Sequence, residues 1–74
     1  MPWIVFIRTH SEKKNIFEEF FSLFFEAVTA FPSKKQDIWV ISGITASKPE
    51  QLSLENQLNI FSNYLNISAP KLKI

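Results

Sequence analysis

The stretch from Ile16 to Phe31, IFEEFFSLFFEAVTAF, spends six of its sixteen positions on phenylalanine in a chain of only 74 residues. That much aromatic surface demands cover, yet a domain this short buries only about 60% of the surface its unfolded chain exposes. Cores of this size are usually reinforced by disulfides, a structural metal, dense packing or a partner subunit. With no cysteine and a single histidine, His10, disulfides are excluded and a zinc site would have to be built almost wholly from carboxylates. Packing and partners remain, and no metal or other cofactor is expected.

The chain reads as one domain over 1–74, ordered strand, helix, strand, helix, strand. Pro2 to Arg8 encloses the unbroken apolar run Trp3-Ile4-Val5-Phe6-Ile7, which predicts a first strand buried on both faces. Thr9 and Glu12 have the spacing of a capping box. They predict a first helix over about Glu12 to Ala30, ended by Phe31-Pro32 because proline disfavours helical geometry in the residue before it. Ile38 to Ile41 predicts the second strand, closed by Ser42-Gly43. A second helix starts after Ser47 or Ser53 and carries a narrow apolar stripe at Leu54, Leu58, Phe61 and Leu65. Pro70, Leu72 and Ile74 alternate with Lys71 and Lys73, the pattern of a protected edge strand.

Helices between strands are too long to be hairpin loops, which favours parallel pairing through right-handed crossovers. The expected fold is a small three-layer α/β domain, βαβαβ, with a three-stranded, mainly parallel sheet in the order 2-1-3 and a helix on each face. The alternative is an α+β, ferredoxin-like βαββαβ arrangement in which Ser42-Gly43 is a hairpin turn between Ile38–Ile41 and Ile44–Ser47.

Val5 to Phe20, VFIRTHSEKKNIFEEF, resembles the first strand, polar loop and first helix of TIR domains. The resemblance covers sixteen residues and implies the same strand-loop-helix order here. Nothing later in the chain corresponds to the family's helix bearing the catalytic glutamate, so it does not imply nucleotide hydrolysis.

On a continuous first helix, Asn15, Glu18, Glu19, Ser22, Glu26 and Thr29 occupy an arc of roughly 100°, and the apolar arc is about 200° wide. Phe17, Phe20, Phe24, Ala27 and Phe31 suffice to cover a sheet, leaving Phe21 and Phe25 on one shoulder. The rest of the chain, a membrane surface or another protein could cover them. Interfacial helices carry Lys and Arg on the polar face, whereas this one carries glutamates. Closed twofold dimers are the commonest assembly, so a homodimer through Phe21 and Phe25 is the expectation.

In a parallel sheet, ligands bind beyond the carboxyl ends of the strands. That rule gathers Arg8, Thr9, His10 and Ser11 after strand one with Ser42, Gly43 and Thr45 after strand two, a set suited to an anion near helix N-termini. His10 and Asp37 would fall at opposite ends of parallel strands, roughly 15–20 Å apart, and form no dyad. There is no phosphate-binding glycine loop and no H-E-x-x-H pattern. Trp3 and Trp39 read as core.

A formal charge of +1 gives no broad attraction to a phosphate backbone, so nucleic acid is not the default partner. The N-terminus lacks the basic region and cleavage site of a signal peptide. The Phe-rich run is shorter than the roughly 20 apolar residues of a membrane span. A cytoplasmic protein without a membrane partner is expected, and its Asn-, Lys-, Ile- and Phe-rich usage fits an AT-rich bacterial or phage genome. The expected function is a small non-enzymatic protein-binding module of inhibitor or adaptor type. The alternative is a domain or minimal enzyme for an anionic small molecule or nucleotide, using the loops after strands one and two. A third is single-stranded nucleic-acid binding on an open ferredoxin-like sheet.

Overall fold

In the computed structural model, which describes residues 2–74, three strands form one all-antiparallel sheet. They are β1 (Trp3–His10), β2 (Ala27–Pro32) and β3 (Ile38–Thr45), in the order β1-β3-β2. A 3-10 turn at Ser11–Lys13 leads into helix α1 (Lys14–Ser22), and helix α2 (Gln51–Tyr64) follows β3. The fold is therefore α+β. The expected parallel sheet, the order 2-1-3 and the three-layer α/β class are all overturned by the antiparallel pairing. The alternative layout has the right class and the right order, strand, helix, two strands, helix and a tail that returns to β1, but its hairpin is misplaced, because Ser42-Gly43 lies inside β3 and the turn is at 33–37.

The source of the difference is the aromatic run. The predicted helix to Ala30 stops at Ser22, where Leu23 N–H and Phe24 N–H close tight turns on the carbonyls of Phe20 and Phe21 at 3.2 and 3.0 Å. Ala27–Pro32 then pairs with β3, from Ala27 opposite Ile44 to Pro32 opposite Trp39. Val28, Thr29 and Phe31 are poor helix formers and good strand formers. Pairing β2 with β3 also occupies a row of backbone groups that a helix over the same residues would leave facing water. The Thr9–Glu12 capping box does not form: the residues at the N-caps are His10, Lys13 and Glu50, and none makes a side-chain cap among the described residues.

β1 and β2 run parallel to one another with β3 inserted between them, a split β-α-β unit. The tail returns along the free side of β1, where Phe6 and Lys73 exchange backbone hydrogen bonds of 2.8 and 3.0 Å in an isolated antiparallel bridge. The predicted third strand is thus reduced to one bridge. Going from β1 to β2 and from β3 to the tail reverses both the strand direction and the direction of travel across the sheet. Two right-handed crossovers so related place their helices on the same face. The Cα extents of 32 × 27 × 17 Å fit two layers, with 17 Å too thin for three.

The core lies between these layers. Val5 and Ile7 of β1, Ile41 of β3, Phe17, Phe20 and Phe21 of α1, Leu58 of α2 and Leu72 of the tail form one buried cluster, with Leu54 and Phe61 packed against it. Phe61 bridges the helices, its ring 4.9 Å from Phe20 and 6.0 Å from Phe17 between centroids. Helix α2 ends in a Schellman closure: Asn66 N–H donates to Asn63 O and Ile67 N–H to Ser62 O, both at 3.0 Å, with Asn66 at φ 59°.

Candidate functional site

Side chains alternate across a strand, so placing both helices on one face leaves the other face bare. Register puts its residues in rows across the sheet: Ile4, Ile44 and Ala27; then Phe6, Ser42 and Thr29; then Arg8, Val40 and Phe31; then His10 and Ile38. Phe31 and Ile4 are about half exposed, at 50% and 53%, while Phe6, Ile38, Val40 and Ile44 are partly shielded by their neighbours. The bridge at Phe6 and Lys73 sets Lys73 beside Phe6 and Lys71 beside Arg8 on this same side. Phe6, Ile7, Arg8, Lys71 and Lys73 line a depression of about 300 Å³ there. No strand position on this face holds a carboxylate side chain. The surface is mostly apolar, with Ser42 and Thr29 at its centre, and cationic along the β1 edge.

A second exposed apolar region lies on the helical side, where Leu23, Phe24, Ile60 and Tyr64 border a groove over the Phe20 and Phe61 rings. Its residues come from the surfaces and ends of two helices, whereas those of the sheet face are held by continuous strand pairing.

The residues predicted to surround an anion are not brought together. Arg8 and His10 are exposed on the bare face, Thr9 is nearly buried on the helical face opposite Trp39, and Ser11 opens the 3-10 turn. Ser42 is half-buried opposite Phe6 and Gly43 is buried in mid-strand, while Thr45 pairs with Trp3 at the far end of β1. Antiparallel pairing sets the end of β1 against the start of β3, so His10 and Thr45 stand about 20 Å apart along the sheet. The strand-end rule that gathered them holds for parallel sheets only.

The same reversal corrects the separation of His10 from Asp37. His10 pairs with Ile38, and Ser11 N–H donates to Asp37 O at 2.8 Å, so the two residues share one end of the sheet. Their side chains make no hydrogen bond with one another among the described residues.

The predicted interface pair is divided. Phe21 is fully buried inside the monomer and offers a partner no surface. Phe25 is partly buried, packs at 5.0 Å and a 45° tilt against Phe21 and lies over Gly43. The fold thus absorbs part of the aromatic surplus, and the phenylalanines left exposed are Phe24 on the helical side and Phe31 on the opposite face of the sheet. Trp3 and Trp39 sit at the rim of the helical-side core, each beneath a lysine, with Lys48 at 5.6 Å and Lys14 at 4.9 Å from the ring centroids.

Among the described residues, no group of three or more His, Asp and Glu is placed to hold a metal, and no helix is long and apolar enough to cross a membrane. No protein-family model, curated protein or solved structure matches the chain. The likeness of Val5 to Phe20 to TIR domains therefore carries no family assignment, although the strand-loop-helix order it implied is present.

Proposed function

We propose that this chain is a non-enzymatic binding module that acts through the bare face of its sheet on another protein. The observation that carries the reading is the row pattern of Ile4, Phe6, Phe31, Ile38, Val40 and Ile44 on a face that no helix covers. A concentration of exposed and half-exposed apolar side chains on one face of a small chain supports an interaction site there. Arg8, Lys71 and Lys73 along one edge select a partner whose own patch is bordered by carboxylates. The expected partner surface is therefore apolar with an acidic rim on one side.

The test is stoichiometric capture of a single protein, compared between wild type, an Ile4→Ser/Phe31→Ser variant and a Tyr64→Ser variant. Loss with the first variant and retention with the second is expected. Capture that ignores the sheet-face substitutions and is lost with Tyr64→Ser would move the site to the helical groove.

A second reading is favoured by one observation, the lack of carboxylates on a face where Phe6 lies beside Arg8, Lys71 and Lys73. Aromatic rings on an open sheet bordered by cations can stack and hold single-stranded nucleic acid. Titration of fluorescent oligo(dT) and oligo(U) at low and high salt tests it. Salt-sensitive binding that is lost with Phe6→Ala would favour this reading over the protein partner.

A further inference from the structure

The two edges of the sheet are treated differently. The β1 edge is met by the tail, which pairs with it at Phe6 and brings Pro70, Lys71 and Lys73, the usual guards against strand addition. The β2 edge, Ala-Val-Thr-Ala-Phe-Pro, carries no charge, and its one proline comes last. An uncharged edge of good strand formers is a template for another strand.

From this edge we infer that the chain self-associates by pairing β2 antiparallel with β2 of a second copy, about a twofold axis at Thr29. The backbone sets the register. Ser33 N–H donates to Ile38 O at 2.9 Å, in line with the pairing of Pro32 opposite Trp39. Alternation then turns the hydrogen-bonding groups of Ala27, Thr29 and Phe31 toward β3 and those of Val28 and Ala30 outward. With Thr29 opposite Thr29 of the second copy, Val28 of each copy faces Ala30 of the other, and both pairs exchange two hydrogen bonds.

The neighbouring registers are poorer. Ala30 opposite itself would set Val28 against Pro32, which has no N–H. Val28 opposite itself would set Ala30 against Glu26, whose N–H is already given to Ile44 O at 3.0 Å.

Side chains agree with the Thr29 register. On the bare face Phe31 comes beside Ala27 of the other copy, and on the helical face Val28 comes beside Ala30, large against small in each case. The two threonines meet as a cross-strand pair. Antiparallel pairing also brings the Glu26 end of each strand toward the Lys34-Lys35 end of the other, so unlike charges meet at both ends. The product is one sheet of six strands whose two bare faces are continuous. The pairing does not depend on what those faces bind.

Sedimentation equilibrium of the full chain should show a monomer–dimer transition at roughly tens to hundreds of micromolar, as fits a small interface. Thr29→Lys puts like charges at the axis and should raise the dissociation constant at least ~tenfold with the circular dichroism spectrum unchanged. Ala30→Pro should act the same way, since its lost N–H points away from β3 and the β2–β3 ladder survives. The cysteine-free chain permits a sharper readout. Thr29→Cys should oxidise to a covalent dimer, while Ala27→Cys, displaced four positions from its own copy, should stay monomeric. A chain that remains monomeric to about 1 mM overturns the proposal. So does a dimer indifferent to Thr29→Lys and Ala30→Pro, or one that cross-links equally at both cysteine positions.

Discussion

Gly43 is the only glycine of the chain, and its place in mid-strand makes a quantitative prediction. Phe25, in the turn between α1 and β2, lays its ring across the helical face of β3 at Gly43. A Cβ built there would overlap Cγ and Cδ2 of the ring and stand 2.9 Å from Cε2. Carbon atoms pack at about 3.5–4.0 Å, so Gly43→Ala displaces the ring by roughly an ångström or more. If the ring stays in place, overpacking costs about 1–3 kcal/mol. If it swings into solvent, the partly buried Phe25 forfeits about half of the 1.5–3 kcal/mol that full burial contributes. The better strand propensity of alanine offsets about 0.5–1 kcal/mol of either. The expected net loss is about 1 kcal/mol, seen as a lower urea midpoint at constant slope and a Tm lowered by about 4–8 °C for a domain of this length.

The double variant isolates the cause. With Phe25→Ala in the background, adding Gly43→Ala should cost nothing or stabilise the fold, a coupling of about 1 kcal/mol or more. Additivity within about 0.3 kcal/mol, or a single Gly43→Ala variant as stable as wild type, would refute the ring-on-glycine contact.

Ser62 of α2 is fully buried and its Oγ has no hydrogen-bond partner among the described residues. Ser62→Ala should therefore raise stability by about 1 kcal/mol in urea denaturation, whereas a comparable loss would mean the hydroxyl is satisfied. Phe21→Glu should abolish cooperative unfolding and near-ultraviolet dichroism instead of releasing a folded monomer, because the side chain lies within the core and an unpaired buried carboxylate is costly. Asn66 holds the left-handed conformation after α2. Asn66→Gly should be neutral within about 0.5 kcal/mol, and Asn66→Val should cost about 1–2 kcal/mol by thermal melting.

Much of the layout is legible in local pattern. The apolar run beginning at Trp3 is a strand, the stripe of Leu54, Leu58 and Phe61 faces the core, and Ile38 opens a strand. The tail does come to rest at the edge beside β1, with its lysines on the bare side. The candidate surface was not legible as such. Phe6, Val40 and Ile44 look like interior residues in the sequence, because a strand bare on one face and a strand covered on both can carry the same apolar run. Phe31 reads as part of a helix face in the sequence, because Phe24, Ala27 and Phe31 keep helical spacing across the point where the helix ends.

What the sequence alone determined is which segments must hide apolar side chains, since that depends on the identity and period of near neighbours. Which way the strands run, which faces the helices take and which aromatic rings remain outside were decided only by the tertiary structure. Those outcomes turn on hydrogen bonds between segments far apart in the chain, above all β2 with β3 and Phe6 with Lys73. A backbone N–H bonds nearly as well to a parallel neighbour as to an antiparallel one, so no local run of side chains records the choice.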